Sequence, residues 1–224
     1  MSSIGFVGPV KDVEVFKAFA KEVNGARKGE HVEACKRHGL TKQRVFLAQT
    51  PMGPMVNVYS EGQNVGFFMA RLRASTNAFD KFYLESLNKM TGINLTDLPA
   101  GPPPNLAFEW ANGKPGKGST MIGAPVPDPA KFWQFCREMT MRYAEHGESR
   151  ERSGITLERA FYMHDAKMVA VYLEGDDPAQ AMQKALTSNA PYDKWFIDHA
   201  SAVHGIDMRA NMPPKPDLFY SFDG

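Results

Sequence analysis

The sequence predicts an α+β protein made of two tandem units with the same β-α-β-β-α-β order. Three observations predict it. Two long segments carry apolar residues at the helical period, a pair of alternating strands follows each, and the second half echoes the first at a separation of 113 to 115 residues. Gly39-Leu40-Thr41-Lys42-Gln43-Arg44-Val45-Phe46 returns as Gly154-Ile155-Thr156-Leu157-Glu158-Arg159-Ala160-Phe161. Val56-Asn57-Val58-Tyr59-Ser60-Glu61-Gly62 returns as Val169-Ala170-Val171-Tyr172-Leu173-Glu174-Gly175, and Phe79-Asp80-Lys81-Phe82-Tyr83 as Tyr192-Asp193-Lys194-Trp195-Phe196. Gly92-Ile93-Asn94-Leu95 matches Gly205-Ile206-Asp207-Met208, and Pro102-Pro103-Pro104-Asn105-Leu106 matches Pro214-Lys215-Pro216-Asp217-Leu218. The units are set at 1–110 and 111–224.

Each unit opens on a short strand, Ile4 to Val10 and Thr120 to Val126. A long helical region follows, with Val13, Phe16, Ala20 and Val23 forming one apolar stripe and Phe132, Phe135, Met139 and Tyr143 the other. Asp128-Pro129 supplies a capping acceptor and a proline whose missing N–H costs nothing in the first turn. Gly39 and Gly154 end these regions. Two strands then form a hairpin, Arg44 to Ala48 with Val56 to Tyr59, and Arg159 to Met163 with Val169 to Tyr172. A further helical region starts at Asp177-Pro178 and breaks at Asn189-Ala190-Pro191. A last helix, Tyr192 to Val203, stops at Gly205, and a final short strand is placed near Ile206 to Met208.

This order is the ferredoxin-like supersecondary unit. A four-stranded sheet with helices on one face leaves the other face bare, and two units in one chain can cover each other there. The expectation is therefore a fused α/β barrel. The alternative is two independent sandwich domains joined by a Pro/Gly-rich linker from Ala100 to Lys117. Gly113-Lys114-Pro115-Gly116-Lys117-Gly118-Ser119-Thr120 precedes a strand with the wrong glycine spacing for a phosphate loop, and reads as linker.

Composition narrows the function classes. Twenty-six basic and 25 acidic side chains give a net charge of +1, without the concentrated basic surface a nucleic-acid binder needs. The two cysteines, Cys35 and Cys136, stand alone and support no metal or redox motif. No stretch approaches the roughly 20 apolar residues of a membrane span, and the first residues carry no leader pattern, so a cytoplasmic protein is expected.

With these blocks in place the chain resembles the dimeric α/β-barrel superfamily in a tandem, single-chain form. The resemblance rests on His146-Gly147-Glu148-Ser149-Arg150-Glu151-Arg152-Ser153-Gly154-Ile155-Thr156-Leu157-Glu158-Arg159 and on Val169-Ala170-Val171-Tyr172-Leu173-Glu174-Gly175-Asp176-Asp177-Pro178. It covers most of both units and is nearest to members with no assigned activity. Other members include cofactor-independent monooxygenases, isomerases, haem enzymes and stress-induced proteins. No catalytic motif of these carries over residue by residue.

The candidate site residues are matched pairs. His31 and His146 occupy equivalent places in Glu30-His31-Val32-Glu33 and Glu145-His146-Gly147-Glu148. Either histidine could act as a general base or a haem ligand, with Glu30 and Glu145 beside it. A capping and salt-bridge network is the competing reading. Arg44 and Arg159 could hold an anionic oxygen, and Tyr59 and Tyr172 could donate a hydrogen bond, provided their strand faces turn inward. Three convergent metal ligands are not evident, so no metal is expected. His38, His164, His199 and His204 read as surface or packing residues. These features suggest a small-molecule-binding or stress-related protein taking a small apolar or aromatic ligand. The alternatives are a cofactor-independent monooxygenase or isomerase acting on an aromatic molecule, and a haem-binding protein. A homodimer stays open.

Overall fold

The computed structural model describes residues 2–97, 102–210 and 215–224. Strand β1 (Ser2–Pro9) leads into helices α1 (Val13–Asn24) and α2 (Lys28–Arg37). Strands β2 (Leu40–Thr50) and β3 (Gly53–Gly62) form a hairpin, followed by α3 (Phe68–Ala74) and α4 (Ala78–Thr91). Next come β4 (Asn105–Ala111) and β5 (Gly118–Pro125), then α5 (Pro129–Met141) and α6 (Tyr143–Ser153). The hairpin of β6 (Ile155–Met163) and β7 (Met168–Gly175) precedes α7 (Pro178–Thr187), α8 (Pro191–His204) and β8 (Asp217–Asp223).

Local chemistry sets these boundaries. The Asp12 carboxylate accepts hydrogen bonds from the Glu14 and Val15 amides to open α1, and Asp128 does the same for α5 ahead of Pro129. Gly154 and Gly205 close α6 and α8 in the left-handed conformation. At the ends of the two hairpins, Gly62 and Gly175 lie so close to the carbonyls of Gly39 and Gly154 that a Cβ would collide with them.

The strands form two antiparallel sheets, ordered β1-β3-β2-β8 and β4-β6-β7-β5. The chain divides into one compact unit of Met1–Pro104 with Pro216–Gly224 and a second of Asn105–Lys215. The two units are pseudo-symmetric in their βα order. Phe16, Phe19, Ala20 and Val23 of α1 pack on Val45, Leu47 and Val56 in the first. Phe132, Phe135 and Met139 of α5 pack on Ala160, Tyr162 and Val169 in the second.

The fused barrel is not upheld, nor is the assignment to the dimeric α/β-barrel, ferredoxin-like class. Closure requires hydrogen bonding from one strand to the next around a ring. Here each sheet is open, four strands wide, and among the described residues no strand of one sheet pairs with a strand of the other. The expected within-unit order fails at the fourth strand. Ile206 to Met208 is a turn, not a strand. β8, from the end of the chain, completes the first sheet on β2. β4, inside the segment read as linker, completes the second sheet on β6. β4 alternates buried Phe108 and Trp110 with exposed Glu109, the period of a half-buried strand. Its proline-rich neighbourhood masked that signal. Ala100 of the proposed linker and Pro214 of the last repeat block lie outside the described residues.

A buried aspartate anchors each helix layer. Asp80 accepts from Arg37, His38 and Ser75, tying α4 to the end of α2. Asp193 accepts from Ser149, Ser188 and Arg152, tying α8 to α6. β8 is held by more than its ladder, since Tyr220 meets the Tyr83 hydroxyl at 3.0 Å and the Phe219 carbonyl accepts from Asn24 at 2.6 Å. A chain truncated after Lys215 should therefore lose hydrogen-exchange protection in β2 and α1 while β6 and β7 keep theirs. Equal loss in both units would show that β8 does not act locally.

Candidate functional site

The second unit has a partly open cavity of about 130 Å³ between its sheet and helices α5, α7 and α8. Its floor is the face carrying Glu158 and Ala160 of β6, Val169, Val171 and Leu173 of β7, and Ile122 of β5. An engineered cavity of about 150 Å³ in an apolar core accepts benzene, so this volume suits a single aromatic ring.

The void follows from side-chain size at matched positions. Where the second unit has Ala160, Ala181, Ala185 and Ala200 lining the cavity, the first has Val45, Phe68, Leu72 and Leu87 packed into its core. Each of these four exchanges removes side-chain carbon atoms from the lining.

One end of the cavity is charged. The buried Glu158 carboxylate accepts from Arg150 Nε through Oε2, with Arg150 Nη2 3.4 Å from Oε1. Arg150 also stacks on Phe196, 4.4 Å from the ring centre. His146 lies behind this pair. Its Nδ1 is 2.8 Å from the Tyr192 hydroxyl, and its Nε2 is 3.3 Å from Glu158 Oε2, a close contact not aligned as a hydrogen bond. Burial alone would raise the Glu158 pKa. The Arg150 guanidinium, chiefly, outweighs burial and holds it well below the usual carboxylate range. Burial, then Arg150, depresses the His146 pKa and keeps the ring neutral. The cavity therefore presents one ionised carboxylate in apolar surroundings.

The first unit holds the same constellation without charge. His31 Nε2 lies 3.3 Å from Gln43 Oε1 and 3.4 Å from Cys35 Sγ. Gln43 and Cys35 stand where the second unit has Glu158 and Arg150, so the ion pair belongs to the second unit only.

The other sequence candidates fall elsewhere. Glu30 pairs with Arg27 and Glu145 with Arg142, both at the surface. Arg44 binds Asp223 at 2.7 Å and Arg159 binds Glu109. Tyr59 and Tyr172 bond Glu61 at 2.5 Å and Glu174 at 2.7 Å. By strand alternation Arg159 lies on the opposite sheet face from Glu158, as does Tyr172 from Val171 and Leu173. Neither lines the cavity. His31 and His146 lie beside the equivalent strand residues, Gln43 and Glu158.

Sequence reasoning missed Glu158, Arg150 and His204, all of which line the cavity. Glu158 and Arg150 stood inside matched blocks, where a departure from pseudo-symmetry to Gln43 and Cys35 was visible. His204, five residues past His199, carried no such signal. A haem does not fit these residues. The cavity is less than half the ~300 Å³ lower bound of common ligand and cofactor pockets, and His146 has both ring nitrogens against protein groups. Among the described residues no group of three His, Cys, Asp or Glu could hold a metal ion. Burial pushes the thiols of Cys35 and Cys136 up to about 12, so neither is nucleophilic. No helix among the described residues is long and apolar enough to cross a membrane.

No family model and no curated protein matches the sequence. Solved structures do match the fold. A candidate monooxygenase from Lactobacillus acidophilus aligns over 100% of this chain and 97% of its own, with TM-score 0.55 and 12% identity. A candidate monooxygenase from Fusobacterium nucleatum aligns over 99% and 93%, with TM-score 0.51 and 8% identity. An anthrone oxidase-like protein aligns over 98% and 92%, with TM-score 0.53 and 12% identity. The fold resembles that of these monooxygenase and oxidase-like proteins.

Two outcomes follow from the buried pair. Arg150→Cys alone leaves Glu158 buried and unpaired and should cost about 3–5 kcal/mol of stability. Adding Glu158→Gln recreates the neutral set of the first unit, so the double variant should recover much of that loss in urea denaturation. Strict additivity would show that the pair is not coupled.

The buried histidines set the pH response. His31, His38, His146 and His204 all have pKa values lowered, chiefly by burial. On unfolding they take up protons near the ordinary value of 6.5, so the unfolded state binds more protons below that pH. The stability they contribute is present above pH 6.5 and is lost as pH falls through that value. Glu158, also lowered, adds a second loss below its ordinary 4.5. Urea midpoints measured from pH 8 to pH 4 should fall in that order, and a flat profile between pH 7 and 5.5 would contradict it.

Proposed function

We propose that the protein is a small-molecule monooxygenase acting on a single-ring hydroxyarene bound in the cavity of the second unit. The observation that carries this reading is one ionised carboxylate, Glu158, at the end of an otherwise apolar cavity of aromatic-ring size. The resemblance of the fold to monooxygenase and oxidase-like proteins supports oxidation over isomerisation.

Glu158 accepts a hydrogen bond from the substrate hydroxyl and holds the ring at the charged end, while Arg150 keeps the carboxylate too weak a base to retain the proton. That charge-assisted hydrogen bond raises electron density on the hydroxyl oxygen and the ring and eases oxidation by dioxygen, which is itself apolar and partitions into the cavity. In the overall reaction a hydroxyarene and dioxygen give a quinone and water, one oxygen atom entering the ring and the other leaving reduced. Arg150 keeps Glu158 ionised and oriented. Its guanidinium also stabilises negative charge developing on oxygen at that end. His146, bonded to Tyr192, braces the carboxylate from behind.

The test is oxygen uptake with a panel of alkylphenols, alongside calorimetric binding. The Glu158→Gln/Arg150→Cys double variant should still bind the apolar ring but lose oxygen uptake by about 10- to 100-fold, the scale of one charge-assisted hydrogen bond. Ala200→Leu, the residue of the first unit, should fill the cavity and weaken binding about tenfold or more without lowering stability by more than ~1 kcal/mol. Full oxidation by the double variant would overturn the role of Glu158. Unchanged binding in Ala200→Leu would overturn the cavity as the site.

A further inference from the structure

We propose that His204 Nε2 is a second polar contact for the ligand, at the opposite end of the cavity from Glu158, and that it selects substrates bearing a hydrogen-bond donor at both ends. The inference rests on the reading that this cavity is where the ligand binds.

His204 is the last residue of α8 and lines the cavity while staying largely buried. Its Nδ1 lies 2.7 Å from the Pro125 carbonyl oxygen. A carbonyl oxygen only accepts, so Nδ1 must carry the proton. In the neutral ring Nε2 is then left with a lone pair and acts as an acceptor. The backbone bond fixes both tautomer and ring orientation, the same device that orients histidines in metal and catalytic sites. Burial favours the neutral form. Gly205, in the left-handed conformation, ends the helix directly after it and fixes where the ring enters.

Strand register separates the two polar ends. Glu158 pairs with Leu173 on β7, whereas Pro125 pairs with Met168. Five residues along a strand correspond to roughly 17 Å between those rows. Both side chains line the cavity, whose floor between those rows is Ala160, Val169, Val171 and Ile122. Both polar ends are acceptors, one a carboxylate and one an imidazole nitrogen. A ligand with a single hydroxyl satisfies Glu158 and leaves Nε2 facing carbon. A ligand with a second hydroxyl on a side chain para to the first extends farther toward His204 and satisfies both, and the unmet acceptor is costly only in the first case.

The probes are para-propylphenol and para-(hydroxyethyl)phenol, nearly isosteric molecules differing in a terminal methyl or hydroxyl. Dissociation constants are measured by calorimetry for the wild-type chain, His204→Asn and His204→Phe. Asparagine keeps an N–H for the Pro125 carbonyl and removes Nε2, so it guards against a variant that merely fails to fold. In the wild type the hydroxyethyl compound should bind at least as tightly as the propyl compound. In His204→Asn the preference should reverse, a swing of about tenfold. An unchanged ratio in both variants would overturn the role of His204 and leave the cavity reading intact. Reversal without oxygen uptake by the wild type would uphold His204 and remove the oxidation reading. Failure of both phenols to bind the wild type would overturn the two together.

Discussion

Glu158 stays ionised in an apolar interior because Arg150 reaches it from the adjacent helix. A carboxylate buried without that guanidinium would take a proton. The arrangement constrains much of the second unit. α6 must lie close enough to β6 for the pair to form. Gly147 permits this, because a Cβ there would come within 2.7 Å of Trp110 on β4. His146, one residue earlier, is thereby pressed against Glu158 and Tyr192. Asp193 then fixes α8 to α6 through Ser149 and Arg152, which places the helix that carries His204. Charge at one end of the cavity and tautomer at the other are set by the same helix layer.

The first unit shows what the same frame does without the charge. Gln43 and Cys35 give His31 two weakly polar neighbours and no ion, and larger side chains occupy the matched cavity positions. Tyr83 and Tyr220 close that region with a hydroxyl pair. The first unit is packed at these positions, and the second holds the cavity and the ion pair. The difference rests on exchanges at a few matched positions, chiefly Glu for Gln, Arg for Cys, and alanine for larger apolar residues.

The four-stranded sheets depend on segments distant in sequence. β8 joins the first sheet after the whole second unit has been traversed, and β4 joins the second before its own hairpin exists. Such ladders are non-local contacts, which bring order late and at an entropic cost in loop closure.

Local order was legible in the sequence. Capping aspartates, left-handed glycines and apolar stripes act within one or two turns of chain, so Asp128-Pro129, Gly154 and the Phe132–Phe135–Met139 stripe declared their roles directly. The pairing of His31 with His146 was legible too, because pseudo-symmetry within one chain is a property of the sequence. Which strand completes which sheet was not. A three-residue alternation such as Phe108-Glu109-Trp110 says that a strand is half buried, not whose edge it joins. Nor could the sequence place Glu158 in a cavity and Arg159 outside it, since strand parity is fixed only by what packs on each face. The chemistry of the site is a matter of distance, and the folded chain alone brings Arg150, Glu158 and His204 around one void.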